Sequence, residues 1–228
     1  MKPQKIRALV DPQRIFFYGK PKIGKTSMLA TLPRHIIIDT EVKSVAEGVN
    51  IGGTSYCEGA TAMVVSNLTE LHQAFKYIEE HQDEFDYVCL DTIDAVEEWV
   101  TKKILDANNI KSLSDLSHGK GWYMMRTMVL SIVEDFARIS KNFIVIGHQK
   151  DGHGEGEIDV TQINLTGKLK TALCSIMDAT GHLHRNGDEL WVDFRSGEST
   201  DAGCRLPRLA GTNQKLDWNF IYQNTIEA

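Results

Sequence analysis

Apolar residues fall on consecutive positions in several short runs and at helical intervals in the stretches between them. RIFFY (Arg14 to Tyr18) is apolar and aromatic and stops at Gly19, which predicts a buried strand feeding a glycine loop. HIIID (His35 to Asp39) is β-branched and apolar residue after residue, the pattern of a strand covered on both faces of a parallel sheet. YVCLD (Tyr87 to Asp91) and FIVIG (Phe143 to Gly147) read as further strands. Between these runs the period changes. Ser27 to Leu32 has helical character and is cut short by Pro33. Leu68, Leu71, Phe75 and Ile78 share one face of a helix over Leu68 to Glu80. Met125, Met128, Val129, Ile132, Val133 and Phe136 do the same between Trp122 and Ser140. Alternating strand and helix through at least four strands is the pattern of a doubly wound or closely related sheet. The expected fold class is therefore α/β, with a mostly parallel central sheet and helices on both faces.

Beyond Gly147 the pattern breaks. Asp151 to Asp159 (DGHGEGEID) is glycine-rich and charged, and predicts a mobile loop near 150–166. ATGHLHR (Ala179 to Arg185) and ELWVDFR (Glu189 to Arg195) read as an antiparallel hairpin on the sheet edge, turning at Asn186-Gly187. No internal repeat stands out, and 228 residues suit one domain spanning 1–228. A net charge of −6 argues against a uniformly basic, nucleic-acid-coating surface, so any DNA contact must be localised. Cys57, Cys89, Cys174 and Cys204 are widely spaced with no zinc-site arrangement, which fits free thiols in a reducing compartment. Neither a signal peptide nor a membrane span is visible, so the expectation is a cytoplasmic protein with no membrane partner.

The first strand and the helix after it frame GKPKIGKT, a full match to G-x-x-x-x-G-K-[ST] in the context that motif requires. Such a P-loop binds phosphate because glycines let backbone N–H groups turn inward and the following helix presents its positive end to the anion. Gly19, Lys20, Pro21, Lys22, Ile23, Gly24, Lys25, Thr26 and Ser27 are the candidate nucleotide-binding residues. Lys25 would neutralise phosphate charge, and the Thr26 hydroxyl would ligate Mg²⁺. Asp91, closing another strand, has the placement of the acid that supports Mg²⁺, while Asp94 reads as opening the next helix. Hydrolysis also needs a group to orient or deprotonate water; IIIDTE offers Asp39 and Glu41, of which Glu41 is favoured. ATP and Mg²⁺ are the expected cofactors, and an ATPase is the expected activity.

The order of these motifs resembles the RecA family of recombinase ATPases, whose P-loop, catalytic-glutamate strand and acid-ending strand follow one another in the same way. FIVIGHQKD is similar to that family's strand ending in a polar γ-phosphate sensor. Within the family the chain looks like small phage-encoded RecA-like proteins, the AAA-family or Sak-type single-strand annealing proteins. The likeness rests on HGKGW (His118 to Trp122), His148 and the D-x-x-G-x-L run from Asp178 to Leu183, and it covers about Ile15 to Leu209. The resemblance implies a RecA-like core in which Lys25, Glu41, Asp91 and His148 are catalytic, Glu41 as base and His148 or Gln149 as sensor. It also implies a DNA-facing loop from Lys150 to Thr166, single-stranded DNA as partner, homo-oligomers, a single-strand-binding or replication protein as a further partner, and a host cytoplasm as location. The chain departs from the pattern in that loop, where Asp151, Glu155, Glu157 and Asp159 outnumber Lys150, and carboxylates repel a phosphate backbone.

Other features carry two readings each. Lys168 and Lys170 suit DNA, a cationic finger toward a neighbouring subunit, or plain solvation. His182 and His184 have metal-chelating spacing on a strand but no third ligand, which favours a structural role. Met124, Met125 and Met128 suggest helix core, and Trp122 a packing anchor more than a base stacker. Arg185, Arg195, Arg205 and Arg208 give the late segment a basic bias suited to nucleic acid or a subunit interface. The functional expectation is ATP hydrolysis coupled to single-strand annealing or recombination. A nucleotide-dependent protein-interaction module is the alternative, and a small-molecule kinase a weaker third.

Overall fold

The computed structural model describes residues 9–42, 45–46, 49–50, 52–153 and 159–223. In chain order these form β1 (Arg14–Gly19), α1 (Lys25–Leu29), β2 (His35–Asp39), the short antiparallel pair β3 (Val45–Ala46) and β4 (Val49–Asn50), β5 (Ala62–Val64) and α2 (Leu68–Glu80). Then come β6 (Tyr87–Asp91), α3 (Ile93–Asn108), α4 (Lys120–Ile139), β7 (Asn142–His153), β8 (Asp159–Ile163) and α5 (Leu169–Ile176). The described chain closes with β9 (Ala179–Asn186), β10 (Glu189–Asp193), β11 (Gly203–Cys204), β12 (Asn213–Lys215) and α6 (Trp218–Ile221).

The main sheet runs β12-β10-β9-β1-β7-β6-β2-β5, and every neighbouring pair from β9 to β5 is parallel. Period-two geometry explains why the strand sequences are apolar throughout: successive side chains enter different cores. Phe16, Tyr18, Ile36, Ile38, Val88, Leu90, Phe143 and Val145 pack under α2, α3, α4 and α5. Ile15, Phe17, Ile37, Cys89, Ile144 and Ile146 pack on the other face against Met28 and Leu29 of α1, against Leu206 and Leu209, and against Ile221 of α6. The expected helices on both faces are present but unequal. One face carries the four longest helices, whereas the other is covered largely by turns and the two shortest.

Three expectations change. The late hairpin does not sit on the edge: β9 pairs parallel with β1, and β12 flanks β10 on the far side. Asp178 pins this arrangement, its Oδ2 accepting from the backbone N–H groups of Gln13 and Arg14 at 2.9 and 3.0 Å. The turn lies one residue later than expected, at Gly187-Asp188, because Asn186 still pairs with Glu189. Gly187 has φ +60° while Asp188 does not enter the positive region, the sign pattern of a type II′ turn with glycine first. Finally, the segment expected as a loop continues β7 as a ribbon, Gln149 to His153 pairing antiparallel with Ile163 back to Asp159. Its tip, 154–158, with Glu155 and Glu157, lies outside the described residues, as does the start of the chain before Leu9.

Candidate functional site

Parallel strands end on the same side of a sheet, so β1, β2, β6 and β7 deliver their C-terminal residues to one edge. The register is close: Gly19 lies beside His148, and Asp39 beside Asp91. Since β7 lies between β1 and β6, its end falls between the P-loop and Asp91.

The loop after β1 bends back through Lys22 at φ 64° and Gly24 at φ 104°, the latter capping α1. Gly24 meets the steric demand of that left-handed turn. Lys25 is buried, and its Nζ donates to the Lys20 carbonyl at 2.9 Å and the Gly19 carbonyl at 3.4 Å. Burial lowers its pKa, opposed by the charges of Asp91, Glu41 and Asp94. The ammonium is thus held by its own loop among three carboxylates.

Thr26 Oγ1 donates to Asp91 Oδ2 at 2.6 Å. The second oxygen of Asp91, Oδ1, is buried without a hydrogen-bond partner. Burial pushes the Asp91 carboxyl up to about 7; the Thr26 hydrogen bond works against this, Glu41 and Asp39 add to it, and Lys25 opposes it. A hydroxyl joined to a buried carboxylate that keeps one oxygen unpaired is a donor set for a hard cation, so the residues fit Mg²⁺.

Asp39 and Glu41, the two candidates on β2, separate cleanly. Asp39 is buried and saturated, accepting from the N–H of Glu41 at 3.0 Å, the N–H of Thr54 at 2.7 Å and the Thr54 hydroxyl at 2.6 Å. Its work is to tie the 52–54 segment to the end of β2. Gly52 is required there, since a Cβ would fall 2.1 Å from Asp39 Oδ2. Glu41 instead faces the pocket, with Oε1 3.3 Å from His148 Nε2.

His148 bridges two acids. Its backbone N–H donates to Asp94 Oδ2 at 3.1 Å, and its ring Nδ1 lies 3.6 Å from the same oxygen. The carboxylates of Asp94 first and Glu41 second raise the imidazole to about 9, against partial burial and the charge of Lys25. The ring is therefore an imidazolium at neutral pH. Asp94, expected only to open a helix, sits in the first turn of α3 and also positions the sensor candidate. The one available signal was its spacing from Asp91, which returns both carboxylates to the same sheet edge.

Strand alternation settles which way His148 and Gln149 turn. His148 lines a cavity of about 480 Å³ with Lys25, Thr26, Glu41, Tyr56 and Cys57. Gln149 turns away, accepting at Oε1 3.0 Å from His182 Nε2 and donating to Asp151 at 2.6 Å. The P-loop divides in the same way. Pro21, Lys22 and Gly24 to Ser27 line the 480 Å³ cavity, whereas Lys20 and Ile23 line a neighbouring one. Tyr56, and Cys57, expected only as a free thiol, enter the pocket at the end of a 3₁₀ turn that no periodicity announces.

The remaining candidates lie elsewhere. Lys170 pairs with Asp201 at 3.0 Å, while Lys168 is exposed at the start of α5. Arg195 is held by Asp193, Arg208 by Asp11 and the carbonyls of Val10, Phe220 and Ile221, and Arg205 by the Ser175 carbonyl, so these three tie the C-terminal segment together. Among the described residues no three His, Cys, Asp or Glu side chains form a metal cluster, so His182 and His184 remain a stacked pair with ring centroids 5.6 Å apart. Met125 is core, and Trp122 is 41 % exposed beside the more exposed Tyr123. The four cysteines are free thiols, and no helix among the described residues is long and apolar enough to cross a membrane.

A mostly parallel α/β sheet with a glycine loop and lysine after its central strand, and a Thr–Asp pair beside it, defines the P-loop nucleotide-binding class. The family described as an AAA domain matches residues 11–206, and the chain belongs to that family. Its domain points to nucleotide-dependent ATPase activity, with ATP as the nucleotide and Mg²⁺ as its usual cation. No curated protein matches the chain.

Proposed function

We propose that this protein is a RecA-like ATPase acting on single-stranded DNA in annealing or recombination, as a homo-oligomer. The observation that carries the hydrolytic part is the convergence of Lys25, the Thr26–Asp91 pair and the Glu41–His148 pair on one sheet edge. Thr26 and Asp91 would hold Mg²⁺, which when bound neutralises phosphate charge. Lys25 leaves the loop carbonyls to meet the phosphates, and the backbone N–H groups at the start of α1 supply the rest of the cradle. Glu41 orients and deprotonates the attacking water. While His148 is paired with Glu41, that carboxylate is stabilised as an anion and is a weaker base. A γ-phosphate drawing the imidazolium toward itself frees Glu41, so the sensor and the base are switched together. Because His148 opens onto the β7–β8 ribbon, the same movement reaches a surface outside the nucleotide pocket.

The RecA-like part is supported by the strand order, in which β7 separates the P-loop strand from the Asp91 strand, and by the motif order along the chain. The test is ATP turnover with and without a single-stranded oligonucleotide. Stimulation by the strand supports the reading; turnover that ignores DNA, together with no oligonucleotide binding at low salt, removes the DNA part of it.

One observation favours a second reading, a nucleotide-dependent protein-interaction module. Asp151 of the ribbon pairs with Lys20 of the P-loop at 3.3 Å, so a carboxylate stands where a DNA-facing element would place a cation. ATP-dependent association with a protein and no retention of DNA on size exclusion would select it.

A further inference from the structure

On the other side of β7 from the nucleotide pocket lies a second cavity, of about 710 Å³, within the range of pockets that hold small ligands. It shares the P-loop as a wall, and the β7–β8 ribbon and the end of β9 close it. Lys20, Gln149, Asp151, Thr161, His182, His184 and Arg185 supply its polar lining, two cations against one carboxylate.

The chemistry of this lining is of two kinds. The first is aromatic: His182 and His184 line the cavity, and they belong to a row that Tyr18, fully buried, and Trp191 continue on the same sheet face outside the lining. Ring centroids lie 5.1 Å apart from Tyr18 to His182, 5.6 Å from His182 to His184, and 6.4 Å from His184 to Trp191. The two imidazoles are stacked with nearly parallel planes, at 20°. Burial, then the neighbouring His184, holds His182 below the usual imidazole range. His184 carries a buried Nδ1 with no hydrogen-bond partner, an unusual state for a polar atom in a finished structure.

The second kind is cationic. Arg185 donates to the Ile23 carbonyl at 3.1 Å and the Asp188 carbonyl at 2.5 Å, and among the described residues no carboxylate pairs with it. Two neutral carbonyls orient the guanidinium and leave its charge unmatched. Among the described residues Lys20 pairs with Asp151 alone, in an exposed contact, 64 % and 58 % accessible, which an incoming anion can replace. Flat rings beside a fixed guanidinium and a displaceable lysine are the two halves of a site for a base and its phosphate.

We propose that this second cavity binds a nucleotide unit, base against the His182–His184 rings and phosphate toward Arg185 and Lys20, separate from the triphosphate in the P-loop pocket. The proposal rests on the reading above for which pocket takes ATP. It places the contact of a single strand on β9 and the P-loop flank, where Arg185 and Lys20 stand, with Asp151 of the ribbon on the same wall as Lys20. A phosphorylated base reaches such a site either as a free nucleotide or as part of a strand. Gln149, adjacent to His148 and bonded to His182, connects the two cavities through one strand.

The test uses the full chain carrying a non-hydrolysable ATP analogue, with two probes: an oligothymidylate and thymidine monophosphate. Binding is read by fluorescence anisotropy for the oligomer and by calorimetry for the monomer. At least one probe should bind, and His184→Ala with Arg185→Ala should weaken it tenfold or more, whereas His184→Phe, which keeps a ring, should recover most of the loss. The oligomer binding and the monomer failing assigns the site to a strand; the monomer binding equally well per unit assigns it to a free nucleotide. Neither probe binding, or affinity within twofold in the double variant, overturns the proposal. Affinity for the ATP analogue, measured alone, tells separately whether the P-loop reading has failed. As a check that needs no variant, a 5-iodouracil oligomer photo-crosslinked to the unaltered protein should label the peptide holding residues 182–185, and labelling confined to other peptides also overturns it.

Discussion

The Glu41–His148 pair makes the candidate site testable one side chain at a time. If Glu41 activates water, Glu41→Gln keeps nucleotide affinity and lowers turnover by about 10²- to 10⁴-fold, the ordinary contribution of a general base. Steady-state phosphate release beside equilibrium binding checks this, and unchanged turnover would move the role elsewhere. His148 gives a pH signature. Its pKa is raised from 6.5 to about 9 by Asp94 and Glu41, so the folded state binds the proton more tightly than the unfolded chain. The resulting stability is fully present below pH 6.5 and is lost as pH rises through 9. For a ring about a quarter exposed, the loss should be about 1–3 kcal/mol. Urea midpoints of the wild type should fall across that window, and those of His148→Gln should be flatter. Identity at these positions could be read from motif order, but partnership could not: a strand end offering Asp39 and Glu41 does not say which carboxylate the Thr54 segment will saturate.

Element boundaries show where local signals suffice and where packing overrides them. Apolar spacing located α4 to within two residues of its start, because a long helix repeats its pattern many times. Gly121, in the first turn of α4, lets the helix lie against the 3₁₀ turn at Leu113–Asp115. A Cβ at Gly121 would stand 2.3 Å from the Leu113 carbonyl oxygen and 3.0 Å from the Leu113 carbonyl carbon, both backbone atoms that cannot swing aside. Gly121→Ala should therefore destabilise the protein by about 1–3 kcal/mol, despite the better helix propensity of alanine. Denaturant unfolding checks this, and a stability gain would show that the turn moves freely. The ribbon of β7 and β8 was not legible in the same way. Glycines and charges at 151–159 read as an open loop, yet pairing from Gln149 to His153 gives those backbone groups partners on β8.

At the scale of the whole molecule, ligand and fold are linked through the sheet edge. A nucleotide that binds only the folded chain raises stability by about 2.7 kcal/mol at a hundred times its dissociation constant. Thermal unfolding with Mg²⁺ and ATP should rise accordingly in the wild type. In Lys25→Ala the rise should shrink to about 0.4–1.4 kcal/mol at the same ligand concentration, since losing a charge-assisted contact weakens binding by about 10- to 100-fold. A full shift in that variant would detach the P-loop from nucleotide binding. The linkage follows from which residues form the edge: Gly19, Asp39, Asp91 and His148 come from β1, β2, β6 and β7, strands that each bury side chains in both cores. The amino-acid sequence by itself determined the P-loop, the alternation of strand and helix and the strands that end in acids, because these depend on local spacing and on steric demands within a few residues. Only the tertiary structure decided strand order, the saturation of Asp39, the meeting of Glu41 with His148 and Asp94, and the second cavity against His182, His184 and Arg185. Those depend on contacts between residues far apart in the chain, where parallel pairing and side-chain burial, rather than neighbouring residues, set the geometry.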